Sequence, residues 1–347
     1  MDIRLFKILS ETPSVPGNED RLRNIVMDTI KPLVDTVEID IMGNVIGLKK
    51  GHGQRKVMIA AHMDEIGFLV KYIDEEGFLR IQPLGGFDPR QLFAQRVFVH
   101  TTNESLHGVL SYTSKPTHML TPDEIKQAPK LENFFVDLGM PADLVKEKVH
   151  VGDMVTMDRT FEPCGDTFIG KALDNRVGVF VMLEALKRLK KCEVNIYAVA
   201  TVQEEIGLRG ATTSAFAIEP DVGIALDTTL ATDYPGPAKE DLVTELGKGA
   251  AIKIMDASLI CHPKVVSHFR DIAEKEKIPF QMEILGRGGT DGGALQRSRS
   301  GAASMTLSIP TRYIHTVNEM VSRKDVEATI QLLVCYLEEA HTREYRF

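Results

Sequence analysis

The sequence predicts an α/β protein in which helices lie on both faces of a mixed, largely parallel β-sheet, with a β-barrel or sandwich domain inserted into the chain. Helical and strand-like segments alternate at both ends of the chain, as they do in the βαβ units that build a parallel sheet. Between them, short β-prone segments alternate with glycine, proline and charged turns, a pattern typical of a small barrel or sandwich. We therefore expect one domain formed by residues 1–68 and 159–347 and an inserted domain at 69–158.

The composition excludes several classes of protein. A chain of 347 residues is too long for one ordinary core, which agrees with two domains. The net charge of -8 and the lack of a basic run argue against a nucleic-acid partner. No apolar stretch approaches the ~20 residues that cross a bilayer, and the sequence has neither CxxC spacing nor a signal-peptide pattern. We expect a cytoplasmic protein with no membrane partner.

The N-terminal part begins with helices and continues with strands. We expect helices at 2–9 and 19–33, separated by a PSVPG turn, and strands at 37–41, 44–48 and 57–61. The last of these strands is apolar throughout, which is typical of a strand that is buried on both faces.

The inserted part and the C-terminal part follow different patterns. The insertion contains a long segment at 114–134 with three prolines and no clear period, which predicts a loop. After the insertion we expect strands at 194–202, 222–226 and 304–309, and helices at 175–189, 263–277 and 323–341. The last helix carries an apolar stripe along one face, which indicates that it packs on the sheet.

Three of the apolar strands run into side chains that bind metals. His62 and Asp64 follow the strand at 57–61, Glu204 and Glu205 follow the second, and Asp227 follows the third. Ligands bind beyond the carboxyl ends of strands in open α/β sheets, so these side chains are expected to lie close together. Alternatively, the two glutamates form a solvated acidic turn and bind no metal. On an extended backbone they would point in opposite directions, whereas His62 and Asp64 would point the same way.

Two further residues complete the candidate site. Asp174 immediately precedes an apolar helix, so it either caps that helix or binds a metal, and both roles are compatible. His315 follows the strand at 304–309. Two histidines and several carboxylates, without a thiolate, suit Zn, Co or Mn better than Ca. One carboxylate could bridge two cations ~3.5 to 4 Å apart, so the set favours a dinuclear site.

Six motifs carry a resemblance to a known family. They are AHMDEIGF around His62, ALDNR around Asp174, VQEEIGLRG around Glu204 and Glu205, LDTT around Asp227, GGTDGG around Asp291, and RYIHT around His315. In kind and order they resemble the deblocking, glutamyl and tetrahedral aminopeptidases, a family of dinuclear metallopeptidases with a zinc-peptidase-like fold. The resemblance covers essentially the whole chain. Gly292 stands where many relatives have Ala, which affects only the local shape of the pocket.

The resemblance implies a function and a role for each motif residue. It implies a metal-dependent aminopeptidase that removes N-terminal residues from short peptides, and dimers through the insertion that assemble into a tetrahedral dodecamer. It implies two divalent ions, Zn, Co or Mn, held by one ligand set of His62, Asp174 and Asp227 and a second of Asp174, Glu205 and His315. It further implies that Glu204 is the general base and that Asp64 supports His62. The residue chemistry agrees, because an unligated glutamate can take the proton of a water that two cations acidify.

Two other functions compete with this one. Some relatives carry an endoglucanase name, but a glycoside hydrolase with two carboxylates commonly uses stacking aromatics, and this chain has no Trp. It would also leave both histidines unused. A non-enzymatic, metal-stabilised peptide-binding assembly would leave Glu204 without a role.

Two loops near the motifs allow more than one interpretation. The segment 286–293 is rich in glycine but lacks the Lys-Ser/Thr ending of a P-loop, so we expect a loop that lets the backbone approach a peptide. Arg209 and Arg287 could favour acidic substrates. Salt bridges to the excess acids of the protein are the expected role of both arginines.

Overall fold

The structure of the chain, a computed structural model, describes residues 1–115 and 117–346. The helices are, in chain order, α1 Ile3–Glu11, α2 Asp20–Ile30, α3 Pro122–Ile125, α4 Ala142–Lys148, α5 Leu173–Arg188, α6 Arg209–Ile218, α7 Pro263–Glu276, α8 Asp291–Gln296 and α9 Arg323–Glu339. The strands are β1 Thr36–Ile39, β2 Val45–Lys49, β3 Lys56–His62, β4 Gly67–Ile73, β5 Leu79–Leu84, β6 Gln95–His100, β7 Ser105–Tyr112, β8 Phe134–Asp137, β9 Met154–Met157, β10 Glu162–Cys164, β11 Thr167–Gly170, β12 Asn195–Thr201, β13 Val222–Leu230, β14 Ala250–Met255, β15 Phe280–Ile284, β16 Ala303–Arg312 and β17 Glu319–Ser322.

The main sheet is parallel at its centre and antiparallel towards its edges. The strand order is β1-β2-β12-β3-β13-β16-β17-β11-β10, and β14 joins β16 to β15. The neighbours β12, β3, β13 and β16 pair in parallel, whereas β2 and β17 pair antiparallel to this central group. The predicted mixed, largely parallel sheet is therefore confirmed.

The central strand β3 shows how both faces of the sheet are covered. Val57, Ile59 and Ala61 belong to the large core that contains α5, α7 and α9, and Met58 and Ala60 belong to a smaller core under α6 and α8. Successive side chains of a strand point to opposite faces, so an apolar run without alternation is what this position requires. The helices sandwich the sheet as predicted.

The strand β13 is longer than predicted. It runs to Leu230, so Asp227 lies within the strand rather than after it. Its ladder with β3 ends at the pair of Ala225 and Ala60, whereas its ladder with β16 continues to Leu230. Asp227 therefore lies beyond the last rung shared with β3, close to His62.

The inserted segment forms a closed antiparallel barrel with the strand order β4-β5-β8-β7-β6-β9. The barrel has its own apolar core, which includes Phe68, Val97 and Phe134. The sequence did not predict β8, which closes the barrel. The loop predicted at 114–134 spans the connection from β7 to β8 and contains short helical turns, and Pro116 lies outside the described residues. The domain limits at 69–158 stay a prediction.

Several short elements were not predicted from the sequence. They are α3, α4, α6, α8, β10, β11, β14, β15 and β17. Most of them are too short to establish a periodicity, and α8 begins inside the glycine-rich segment. No helix within the described residues is long and apolar enough to span a membrane.

Candidate active site

The predicted site residues come together at one end of the main sheet. His62 is the last residue of β3, Asp227 lies in β13, and Glu204 and Glu205 follow β12. Asp174 lies at the start of α5. His315 lies in the loop between β16 and β17, in the C-terminal part of the chain.

The carboxylate of Asp174 lies between the two histidines. Its Oδ1 is 3.3 Å from Nε2 of His62, and its Oδ2 is 3.4 Å from Nε2 of His315. The Nε2 atom of His62 also lies 3.8 Å from Oδ1 of Asp227, and that of His315 lies 3.5 Å from Oε2 of Glu205. Each imidazole is thus surrounded by carboxylate oxygens, and Asp174 belongs to both groups.

The carboxylate of Glu204 lies close to the ring of His62, a proposed metal ligand. Its Oε2 is 3.9 Å from Nε2 of His62. Ligand atoms of His62, Glu204 and Asp227 lie within 4.8 Å of one another, as do those of His62, Asp174 and Glu205. Distance alone therefore leaves Glu204 as a potential ligand as well as a potential base.

The start of α5 is shaped to present Asp174 to the site. Ala172 precedes the helix in the left-handed conformation, and both Asp174 and Asn175 depart from helical backbone angles. Asn175 caps the regular part of the helix, because its Oδ1 accepts a hydrogen bond of 3.1 Å from the Gly178 N–H. The capping role considered for Asp174 is wrong, because the next residue performs it.

Asp64 fixes both His62 and the two-glutamate turn. Nδ1 of His62 donates to the carbonyl oxygen of Asp64 over 3.0 Å, so the neutral form of the ring would direct the lone pair of Nε2 into the site. The Asp64 carboxylate accepts hydrogen bonds of 3.0 Å from the N–H groups of Glu204 and Glu205. The carbonyl, rather than the expected carboxylate, makes the short contact to His62.

The two glutamates lie on a turn, and not on extended backbone as expected. Gln203 has a φ of 55°, which turns the chain directly after β12. The Gln203 N–H donates to Oε1 of buried Glu19 over 3.2 Å. After this turn, the side chain of Glu204 points towards His62 and that of Glu205 points towards His315.

Sequence reasoning missed Glu319, which holds two of the site residues. Its Oε2 accepts a hydrogen bond of 2.9 Å from the N–H of Asp174, and its Oε1 accepts one of 2.8 Å from the N–H of His315. The short segment NEMV gives no signal for this role. By contrast, the GGTDGG motif indicated Asp291, which accepts a hydrogen bond of 2.6 Å from Thr201 Oγ1 at the end of β12.

The charged groups of the site strongly perturb one another. Burial opposes the charged form of His62, but the neighbouring carboxylates, led by Glu204, raise its pKa well above the usual value. Burial raises the pKa of Glu204 and of Asp227 well above their usual values, and repulsion between the carboxylates adds to both shifts. Burial also opposes the charge on Asp174, yet the two imidazoles lower its pKa below the usual value. The carboxylates outnumber the imidazoles in a buried space, and bound cations would relieve this repulsion.

The donor atoms and their surroundings fit divalent metal ions. Asp174 Oδ1 is buried and accepts no hydrogen bond from the described residues. Imidazole nitrogens and carboxylate oxygens without thiolates suit Zn, Co or Mn. The residues present could therefore hold a metal.

The sequence and the structure were compared with known proteins. Residues 43–332 match the M42 glutamyl aminopeptidase family. The chain belongs to this family. It is 38% identical to the lysyl aminopeptidase of Pyrococcus furiosus, in an alignment of 352 positions that covers 99% of each chain.

Solved structures of similar proteins share the whole architecture. An aminopeptidase from Desulfurococcus kamchatkensis has a TM-score of 0.93 and 42% identity, with 97% of this chain and 94% of that chain covered. The TET1 peptidase of Pyrococcus horikoshii, which assembles into a tetrahedron or a large octahedral shell, has a TM-score of 0.86 and 32% identity, with coverages of 97% and 99%. An endoglucanase from Thermotoga maritima has a TM-score of 0.79 and 31% identity, with coverages of 96% and 97%. The family resemblance and the fold class predicted from the sequence are confirmed.

An open pocket of about 520 Å³ adjoins the site residues of this M42 family member. We call it the inner pocket, and its walls include His62, Asp174, Glu204, Glu205, Asp227, His315, Leu208, Leu230, Leu285, Ile314, Gly288 and Gly289. The two glycines come from the glycine-rich segment, which lies beside the site as expected. The apolar side chains leave room for a substrate side chain next to the acidic groups.

The arginines near the motifs do not form the expected salt bridges. Arg287 lines the inner pocket and has no ion-pair partner among the described residues. Arg209 donates a hydrogen bond of 3.4 Å to Oε1 of Gln203. A buried lysine in the pocket wall, Lys253, is paired with Glu283 at 2.6 Å. Arg287 is thus an exposed cation of the pocket whose charge no described acid neutralises.

The barrel contributes a loop that packs directly on the site. Gly85 follows β5 with a φ of 83°, and a Cβ atom there would lie 2.5 Å from Ile66 Cγ2 and 3.0 Å from Glu205 Oε2. Such distances leave no room for a side chain unless the neighbours move. Gly139, in another barrel loop, has a φ of 63° but no atom within 4 Å of its Cβ position.

We expect Gly85→Ala to weaken metal binding, because its methyl group would displace the Glu205 carboxylate. Gly139→Ala is the matched control, since both glycines have a positive φ, which costs an alanine roughly 1–2 kcal/mol, but only the first substitution reaches the site. Titration calorimetry with Co²⁺ measures the affinity of each variant. Equal affinities in the two variants would show that the loop does not position Glu205.

Proposed function

We propose that this chain is a metal-dependent aminopeptidase that removes N-terminal residues from short peptides with the help of two divalent cations. One observation carries the proposal: the two oxygens of Asp174 lie 3.3 and 3.4 Å from nitrogens of different histidines. A carboxylate placed in this way is suited to bridge two ions. Membership of the M42 family supports the peptidase activity.

The proposed ligands form two sets that share one residue. The first set is His62, Asp174 and Asp227, and the second set is Asp174, Glu205 and His315. The mixed nitrogen and oxygen donors favour Zn, Co or Mn. When bound, the two cations would lower the pKa of a water molecule and polarise the carbonyl group of the scissile bond.

Glu204 is the proposed general base and proton carrier. It accepts a proton from the attacking water and donates it to the nitrogen of the leaving group as the C–N bond breaks. Its position supports this role, because its carboxylate is largely buried and lies beside His62 and Asp227 of the first proposed ligand set. The carboxylate of Asp64 positions Glu204 by accepting a hydrogen bond from the backbone N–H of Glu204.

The competing functions have less support. A glycoside hydrolase mechanism uses two carboxylates and would leave His62 and His315 without a role, although two structural neighbours have endoglucanase in their names, one of them together with peptidase. A non-catalytic binding assembly would have no need of the largely buried Glu204. The arrangement of these three residues favours peptide hydrolysis.

We also propose that the barrel is an assembly domain and that the chain forms dimers which build a tetrahedral dodecamer. The closed barrel has a core of its own, separate from that of the main sheet. The TET1 peptidase of Pyrococcus horikoshii, which shares the fold over nearly the whole chain, forms a tetrahedral assembly.

Short peptides are the proposed substrates.

Hydrolysis of amino-acid amides with and without chelator tests the proposed function. We expect release of ammonia from unblocked amides, loss of activity after exhaustive chelation, and recovery with Zn²⁺, Co²⁺ or Mn²⁺. N-acetylated amides serve as the control, because an aminopeptidase needs a free amino group. Full activity after chelation, or activity on carboxymethylcellulose alone, would overturn the proposal.

The two adjacent glutamates are expected to differ when each is replaced by Gln. Glu204→Gln keeps the shape of the site and removes proton transfer, so turnover should fall by ~10² to 10⁴ while both metals stay bound. Glu205→Gln should instead lose or weaken one metal, measured as metal content after dialysis against metal-free buffer. Because Glu204 also lies near His62, the opposite result, with metal lost only from Glu204→Gln, would exchange the two roles.

A further inference from the structure

A second cavity, of about 810 Å³, adjoins the inner pocket. We call it the outer groove. It shares four wall residues with the inner pocket, namely Gly86, Leu230, Ile314 and His315. One wall comes from the barrel loop with Phe87, Asp88 and Gln91, and the opposite wall comes from the segments that follow β13 and β16. The groove therefore lies between the barrel and the main domain and shares His315 with the site.

Large side chains are exposed together in this groove. Tyr234 is 39% exposed, Tyr313 is 42% exposed and Leu230 is 40% exposed. The rings of the two tyrosines lie 5.7 Å apart between centroids. Exposed apolar surface that is concentrated beside a site indicates binding, and tyrosine rings offer large contact areas at a low cost in side-chain entropy.

An ion pair between the residues that precede the two tyrosines ties their backbone segments together. Nε and Nη2 of Arg312 donate to the two carboxylate oxygens of Asp233 over 2.7 and 2.8 Å. Such a two-pronged pair fixes orientation as well as distance. Since Asp233 directly precedes Tyr234 and Arg312 directly precedes Tyr313, the pair fixes the relative position of the two backbone segments that carry the rings. The two tyrosines are thus kept on the same side of the groove.

The division of residues between the two cavities indicates what each one binds. All the proposed metal ligands and Glu204 line the inner pocket, whereas only His315 among them reaches the outer groove. A substrate of an aminopeptidase has one residue before the cleaved bond and the rest of the peptide after it. On the basis of the proposed function, we infer that the outer groove binds the residues after the cleaved bond and that Tyr234 and Tyr313 select an aromatic or large apolar second residue.

The polar wall residues agree with this assignment. Gln91, Gln95 and Asn318 line the groove and can form hydrogen bonds with peptide groups. The described residues that line the groove include no Lys or Arg, so peptide amides, which have no terminal carboxylate, are suitable test substrates.

Three substrates test the inference: X-NH₂, X-Gly-NH₂ and X-Phe-NH₂, where X is the N-terminal residue whose amide is cleaved fastest. We expect the protein to prefer X-Phe-NH₂ over X-Gly-NH₂ by about tenfold in kcat/KM. Tyr234→Ala and Tyr313→Ala should each reduce this preference about threefold, which is typical of one lost aromatic contact. Tyr72→Ala is the matched control, because Tyr72 is 56% exposed on the barrel strand β4 and does not line the groove.

Binding of an uncleaved peptide provides a readout that does not depend on turnover. N-acetyl-Phe-Gly-NH₂ has no free amino group, so titration calorimetry with it should show weaker binding to both groove variants than to the Tyr72→Ala protein without any hydrolysis. An unchanged preference for Phe over Gly in the variant with both groove tyrosines replaced would overturn the inference. A change in the preferred X, measured with X-NH₂ alone, would also overturn it, because the groove would then bind the N-terminal side chain. Failure of the unaltered protein to cleave any X-NH₂ would instead contradict the proposed function.

Discussion

The contact of the Asp174 carboxylate with two imidazoles is the constraint on which the rest of the site depends. His62 reaches it from the end of a buried strand, and His315 reaches it from a loop near the other end of the chain. The two carboxylate oxygens of Glu319 accept hydrogen bonds from the backbone N–H groups of Asp174 and His315. The sheet, the start of α5 and the loop before β17 must therefore all be folded before these groups can meet.

The parts of the site that could be predicted are those that local sequence determines. An apolar run that stops at His62 marks the end of a buried strand whatever its neighbours are, and the alternation of helices and strands determines the parallel sheet. Glu319 could not be predicted, because its hydrogen bond to Asp174 joins residues 145 positions apart. The turn at Gln203 was missed because no glycine marks its left-handed backbone, and its stability comes from contacts to Glu19 and Asp64.

The barrel is both a separate fold and a part of the site. Its strands enclose their own core, but the loop after β5 packs against Glu205 and forms a wall of the outer groove. A glycine is needed at Gly85 because the barrel and the main domain approach each other too closely for a side chain. The same junction thus limits the position of a proposed metal ligand and the space for a peptide, so motion of the barrel would alter both.

The central claim, that two cations share Asp174, is tested most directly by anomalous scattering from crystals grown with Zn²⁺ or Co²⁺. The account predicts two peaks at the absorption edge of the metal, ~3.5 to 4 Å apart. One peak is expected beside His62 and Asp227 and the other beside His315 and Glu205, with Asp174 between them and Glu204 outside coordination distance. A single peak, or a peak coordinated by Glu204 instead of Glu205, would contradict the account.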